Sequence, residues 1–253
     1  MNPGAVAGSG LLARLRQETR AEHAALEAAV PLMSESVSRA DYVRFMTLVG
    51  AFHATVEQQL RGVDGLIDVI ADLSERRKTE RLESDFSALG LQPAALWTAR
   101  QSLRCPIDPE RHASVPSVSS IDRAVGVLYV LEGSTLGSQL LYRHLSVALP
   151  EVMARSSSFL CCYGTRTGQM WNAFRQQIET AAPELDHDVV IDAARDAFVV
   201  LRDWFRQSAD GEYSDEHASD GPAAKDGALD ESRPSAAVLT ASVSTASVSK
   251  RVA

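Results

Sequence analysis

Residues 11–30 read LLARLRQETRAEHAALEAAV. Apolar residues recur here at helical spacing and predict one helix with a buried stripe, which runs through Leu12, Leu15, Thr19, Leu26 and Val30. His23 falls in the middle of that stripe, where a leucine would be expected. A lone histidine on an apolar face is more often a core residue than a ligand, so its neighbours decide between the two interpretations.

The neighbours of His23 on its helix face are charged. Arg16 and Arg20 precede it at spacings that place them on the same face, and Glu27 follows it one turn later. A neutral imidazole beside two cations suits an iron-bearing planar ligand with anionic side groups, which describes haem and its propionates. The alternative is a solvated edge beside the apolar stripe, because arginine is common on helix surfaces.

A second unusual stretch is LYVLEGSTLGSQLLYRHL, residues 128–145. It places Gly133 and Gly137 one turn apart in a helix, with Ser134 and Ser138 beside them. Each glycine within a helix lowers the stability of that helix by about 1 kcal/mol relative to alanine. Two glycines on one face leave a flat patch at which another group can approach the backbone closely. That group is either a neighbouring helix, which is the commoner use of such spacing, or a flat ligand.

The rest of the chain predicts an all-α fold, because no strand alternation is found. Ser38 and Asp41 resemble a capping box at the start of a long helix. Further helices are expected at residues 72–89 (one or two), 93–103, 121–149 (closed by Pro150), 167–181 and 183–207, with a loop at 105–120. Residues 1–8 are expected to be a flexible lead, 9–207 a single helical domain, and 208–253 a disordered acidic, Ser- and Ala-rich tail.

Composition excludes several classes of function. The net charge of −8 argues against a nucleic-acid partner. Apolar runs are interrupted before the roughly 20 residues that a membrane span needs, and the first residues lack a secretory pattern. Cys105, Cys161 and Cys162 give neither a disulfide framework nor zinc spacing. We therefore expect a cytoplasmic protein without a membrane span.

Three motifs resemble the haem oxygenase family, over about residues 9–207. The pattern L-x-x-x-L-R-x-x-T-x-x-x-H-x-x-x-E, Leu11 to Glu27, resembles the proximal helix of that family. LEGSTLGSQ, Leu131 to Gln139, resembles its glycine-rich distal helix, and A-x-x-A-F-x-x-L-x-x-W-F, Ala194 to Phe205, resembles its final core helix. The form LYVLEGSTLG is similar to that of bacterial biliverdin-producing members often associated with bacteriophytochromes. The resemblance implies a helical bundle that holds haem between the proximal and distal helices.

The resemblance also implies roles for residues on the proximal side. His23 would be the ligand of the haem iron, and Glu27 its neighbour on the helix. Arg16 and Arg20 match basic positions that pair with the propionates. Arg175, from the loosely matching segment MWNAFRQQIE, is the candidate for completing the propionate site.

On the distal side, Gly133 and Gly137 would be the glycines over the haem, with Ser138 beside them. Ser134 falls where mammalian members have an aspartate that organises a water network. A serine can exchange hydrogen bonds with water but cannot supply that charge. Phe198 is expected to pack on the haem edge.

The implied reaction is oxidative cleavage of haem b by O2 and electrons to biliverdin, Fe2+ and CO, with haem as both cofactor and substrate. The product would supply a bilin chromophore, with a bacteriophytochrome as acceptor. The sequence has neither a dinucleotide-binding fingerprint nor iron–sulfur cysteine spacing. Electrons would therefore come from an external reductase or ferredoxin, for which the Arg16/Arg20 end of the haem cleft is a docking surface.

Three other functions fit part of the pattern. A haem carrier or sensor without turnover shares all of these features. A helical enzyme acting on another small molecule, such as a thiamine-related hydrolase, would need a nucleophile and an acidic pair. A helical interaction module would use the glycines as a packing seam and leave His23 inert. The competing iron ligands are His53, His144 and His112, of which His53 is the best because it also borders an apolar stripe.

Overall fold

The computed structural model describes residues 10–92 and 116–210, and all of the regular secondary structure in these two ranges is helical. The all-α prediction is confirmed. The α-helices are α1 Leu11–Glu18, α2 Arg20–Ala29, α3 Arg39–Leu60, α4 Leu66–Val69, α5 Thr79–Ala88, α6 Ile121–Ala148, α7 Pro150–Met153, α8 Ser158–Cys161, α9 Thr167–Ala181 and α10 His187–Asp210. Short 3-10 turns occupy Pro31–Met33, Leu73–Arg76, Gly164–Arg166 and Ala182–Glu184.

Several predicted helix boundaries are confirmed. Helix α9 has the predicted bounds, and α6 ends one residue before the predicted end, shortly before Pro150. Helix α3 begins with a complete capping box: the Asp41 amide donates to Ser38 Oγ at 3.2 Å, and the Ser38 amide donates to Asp41 Oδ2 at 2.9 Å. The last helix starts later than predicted, at His187, because Ala182–Glu184 forms a separate turn.

The prediction of one helix over residues 11–30 is wrong. The chain forms two helices that meet at Thr19, whose φ of −104° and ψ of 5° lie outside helical geometry. The buried Thr19 hydroxyl donates to the Leu15 carbonyl at 2.7 Å, and such a bond to the preceding turn bends a helix. Leu15 before the break is fully buried, whereas no residue of α2 is.

The core lies between α6 and α10, which pack along much of their lengths. Gly126 in α6 makes this packing close, because a Cβ there would lie 2.1 Å from the Val190 carbonyl oxygen and 2.9 Å from the Ala193 Cβ. Helix α10 presents small residues at the crossing and large ones beyond it, and the following residues are buried: Val190, Ala193, Ala194, Ala197, Phe198, Leu201, Trp204 and Phe205. This inward row agrees with the periodicity of the sequence.

Helix α6 is long and apolar enough to cross a membrane by composition alone, but most of its apolar segment is buried inside the fold. It is therefore the central core helix. The predicted lead, the helix at 93–103 and most of the predicted loop and tail lie outside the described residues, as does His112.

Candidate haem site

His23 projects from α2 towards the surface. Its side chain is 55% exposed, so it is not a core residue. The edge of the imidazole packs against the ring of Phe198 on α10, with centroids 5.4 Å apart and planes at 77°. Nδ1 lies 3.5 Å from Glu27 Oε2. A carboxylate at Nδ1 is the usual outer partner of a metal-binding histidine, and it leaves Nε2 as the free ligand atom.

The three arginines predicted to pair with the propionates lie on three different helices. Arg16 is exposed on α1, Arg20 is exposed at the first position of α2, and Arg175 is half-buried on α9. None of the three has an ion pair or side-chain hydrogen bond with the described residues. Burial raises the pKa of the Tyr129 phenol on α6, while the nearby charges of Arg16 and Arg175 act in the opposite direction. The fold thus brings two of the three predicted propionate-binding arginines, Arg16 and Arg175, close to the same tyrosine.

Gly133 and Gly137 differ in their surroundings from Gly126, the third glycine of α6. A Cβ on Gly137 would meet nothing within 4 Å, and one on Gly133 would meet only the indole of Trp171, at 3.7 Å. The packing-seam interpretation therefore holds for Gly126 and not for Gly137. At Gly137 the backbone is open to a ligand.

The two serines beside these glycines bond to their own helix. Ser134 is exposed, and its hydroxyl donates to the Leu131 carbonyl at 2.7 Å. Ser138 is buried, and its hydroxyl donates to the Ser134 carbonyl at 3.0 Å. Ser134 consequently offers lone pairs, and not its proton, to a water at the surface.

We expect Ser134→Ala to lower the rate of the haem degradation that the family resemblance implies only by a few-fold. Loss of a residue that acts as the general acid would lower the rate about 100-fold or more, but the Ser134 proton is already donated to the Leu131 carbonyl. Single-turnover spectroscopy of the haem complex measures this rate. The control for loss of a helix-bonded hydroxyl is Ser146→Ala, because the Ser146 hydroxyl donates to the Tyr142 carbonyl at 2.7 Å in the same helix. A hundredfold loss in Ser134→Ala alone would show that the hydroxyl delivers the proton.

The two competing histidines that lie in the described residues, His53 and His144, are poor iron ligands. His53 is 2% exposed, packs on Phe159 with centroids 5.3 Å apart, and lies 3.7 Å from Glu57. Burial holds its pKa below the ordinary value, as expected of a neutral core histidine. Nε2 of the half-buried His144 lies 3.2 Å from the Ser34 carbonyl oxygen.

The arrangement fits haem. Helices α2 and α6 both pack on α10, and α1 packs on α9 and α10. An accessible imidazole with an acidic partner, cations without partners among the described residues, and a stretch of open backbone are the groups that an iron porphyrin with two propionates needs. The family model Heme oxygenase matches residues 9–207.

The chain belongs to the haem oxygenase family. It is therefore an enzyme that degrades haem to biliverdin, and haem is its substrate. The sequence-based prediction of the family is confirmed.

A similar solved structure is that of the haem oxygenase from Neisseria meningitidis, determined with NO and CO bound. The two chains are 26% identical and superpose with a TM-score of 0.61, over 81% of this chain and 96% of the other. No curated protein matches this haem oxygenase significantly in sequence.

Sequence reasoning missed two features of the site. One is the aromatic pair of Tyr129 and Trp171, whose rings lie 5.8 Å apart beside Gly133. The other is a set of buried charges centred on Glu132. The sequence does contain a signal for the buried charges: a glutamate within the apolar run LYVLEGS must be paired with other charges when it is buried.

Proposed function

We propose that haem lies between His23 on α2 and the Gly133–Gly137 backbone on α6, and that its ring is cleaved there to supply a bilin chromophore. The observation that carries the proposal is the exposed His23 imidazole, which has a carboxylate at Nδ1 and a packed ring edge. When bound, haem supplies the iron at which O2 is reduced and also the ring that is cleaved.

On the proximal side, two neighbours orient the histidine for this role. Glu27 holds the Nδ1 side of the ring, and Phe198 fixes its plane. Phe198 is 5% exposed, so it acts through the imidazole more than at a haem edge. Arg16, Arg20 and Arg175 would pair with the propionates and thereby set the rotation of the ring, on which the choice of meso carbon depends.

On the distal side, the chain contributes backbone. Because Gly137 has open space where a side chain would lie, a flat ring can rest against the helix there. Ser134 would accept a hydrogen bond from a water at this surface, as its own proton is donated within the helix. Water held by Ser134 would then be the proton source in place of a carboxylate.

A further part of the proposal is that an acidic reductase or ferredoxin docks at Arg16 and Arg20. Both side chains are exposed, and neither has an ion pair with a described residue. Complementary charge raises the association rate of such partners at low salt. We expect the double reversal Arg16→Glu/Arg20→Glu, preloaded with hemin, to be reduced by an acidic donor at least about tenfold more slowly, and with a weaker dependence on salt.

The matched control reverses Arg61 and Arg155, two exposed arginines of other segments. This variant has the same net charge as the first, so a general electrostatic effect would slow both equally. Stopped-flow reduction of the hemin complex measures the rates. An unchanged rate in the Arg16/Arg20 variant would contradict the docking surface.

The experiment that tests turnover is a hemin titration followed by reduction in air. We expect a saturating one-to-one Soret band, and then its loss as a red-absorbing biliverdin band grows. A haem carrier or sensor would keep its Soret band under reductant, and that outcome would overturn the proposed chemistry at this site. The titration itself reports binding separately from turnover.

Supply of a chromophore rests on the resemblance of LYVLEGSTLG to members associated with bacteriophytochromes. We place this supply in the cytoplasm, in agreement with the free Cys161 and Cys162. The test adds an apo-bacteriophytochrome to the turnover mixture and follows its photoconversion. Enzyme turnover without any photoconversible product would exclude this role while leaving haem degradation intact.

A further inference from the structure

Glu132 lies in α6 directly before Gly133, and its side chain is 1% exposed. The carboxylate accepts a hydrogen bond from Arg76, one of 2.5 Å from Lys78 Nζ, and one from the Tyr163 hydroxyl at 3.0 Å to Oε1 and 3.1 Å to Oε2. All three donors come from segments outside α6: the two cations precede α5, and the tyrosine follows α8. One side chain therefore ties the distal helix to two other parts of the fold.

The cluster is deeply buried, with side-chain exposures of 1% for Arg76 and 2% for Lys78. Asp72 balances the second positive charge through its bond to Arg76 Nε at 2.7 Å. Such clusters contribute little net stability compared with apolar packing, because the lost hydration offsets the attraction between the charges. What a charge cluster adds is a fixed geometry, since each partner has one arrangement in which all bonds are made.

The helix beside the cluster contains several groups that compete with its backbone hydrogen bonds. Three hydroxyls within residues 134–138 donate to carbonyls of the preceding turn: Ser134 to Leu131, Thr135 to Glu132 at 2.6 Å, and Ser138 to Ser134. Bonds of this kind compete with the helical ladder and bend the helix, and the two glycines add freedom. Contacts from outside must therefore determine where this backbone lies.

The same cluster also supports the side chain that flanks Gly133. The Arg76 guanidinium lies over the Phe174 ring at 5.0 Å, and the Phe174 ring lies 5.9 Å from the indole of Trp171. That indole is the group 3.7 Å from the position of a Cβ on Gly133. The cluster thus contacts both the backbone before Gly133 and the support of the ring beside it.

We propose that Glu132 is a positioning residue for ring cleavage: by anchoring α6 directly before Gly133, it sets where the Gly133–Gly137 backbone lies relative to the substrate ring. The inference rests on the proposed placement of haem against that backbone. Glu132 touches neither the iron nor the propionates in this account. Its loss therefore alters the rate and the site of cleavage more than the affinity for haem.

The test compares Glu132→Gln with Asp85→Asn. Asp85 is another buried carboxylate, but it accepts from the Ser158 and Phe159 amides at 3.0 and 2.8 Å and has no side-chain bond to α6. It controls for general destabilisation. For each protein one measures hemin affinity, the single-turnover rate and the ratio of biliverdin isomers released.

In Glu132→Gln we expect the single-turnover rate to fall about 10–100-fold and a more mixed set of biliverdin isomers to be released. The hemin affinity should stay within about threefold of the parent. Asp85→Asn should keep the parent's rate and isomer ratio. A parental rate and ratio in Glu132→Gln, or equal changes in both variants, would overturn the inference. Failure of the parent itself to bind or cleave hemin would instead overturn the proposed function.

If Glu132→Gln does not fold, the double variant Glu132→Gln/Lys78→Met restores the charge balance of the cluster. We expect it to fold and still to cleave slowly with a broadened isomer ratio, because the carboxylate anchor is absent. Recovery of the parental rate and ratio would show that Glu132 serves only to balance buried charge.

Discussion

Replacing His23 by alanine is expected to abolish haem degradation and to remove the spectrum of a histidine-ligated haem. Loss of an outer partner of a metal ligand already weakens binding about 10–100-fold, and loss of the ligand itself should cost more. Because the side chain is 55% exposed, the unliganded protein should keep its stability within about 0.5 kcal/mol. Hemin titration and thermal unfolding measure the two effects separately.

Added imidazole should restore part of the spectrum of His23→Ala, since the space beside Phe198 and Glu27 is retained. His144→Ala is the matched control, because that ring bonds to the Ser34 carbonyl and lies on the same helix as the glycines. An unchanged hemin spectrum in His23→Ala, with a changed one in His144→Ala, would move the ligand to His144.

The second large effect is a difference in stability between two glycine substitutions in α6. Gly126→Ala should destabilise the protein by at least about 3 kcal/mol, because its Cβ would lie 2.1 Å from the Val190 carbonyl oxygen and both backbones would have to move. Gly137→Ala should instead stabilise it by about 0.5–1 kcal/mol, since alanine is the better helix former and nothing lies within 4 Å of the added carbon.

Gly137→Leu extends the same comparison to function. A leucine there should leave the fold as stable as the parent while filling the space in which the ring lies, which weakens hemin binding about 10–100-fold. Thermal unfolding without hemin and titration with hemin measure the two quantities. A Gly137→Leu protein that binds and cleaves hemin normally would exclude the open backbone as the distal face.

Part of the fold and of the candidate site could be predicted from the sequence, and part could not. Periodicity and capping residues predicted α3, α6 and α9, because local spacing determines which face of a helix is apolar. Spacing alone could not separate Gly126 from Gly137, since the difference is whether α10 crosses at that point. The same holds for Glu132, whose partners Arg76 and Tyr163 are distant in sequence.

The break at Thr19 shows that one side-chain hydrogen bond can end a helix that the periodic apolar pattern predicts to continue. The stripe continued through His23 and predicted a buried position, but the Thr19 hydroxyl bonds to Leu15 and ends α1. The chain then restarts as α2, a helix without a fully buried residue. His23 is exposed as a result, so the histidine that interrupts the apolar pattern is available to a ligand.

The most direct test of the account is a crystal structure of the hemin complex in which the iron is located by its anomalous scattering. We predict iron bonded to His23 Nε2, the porphyrin lying against the backbone of Gly133 and Gly137, and the propionates directed towards Arg16 and Arg20. Iron bonded to any other histidine, or a porphyrin away from these glycines, would contradict the account.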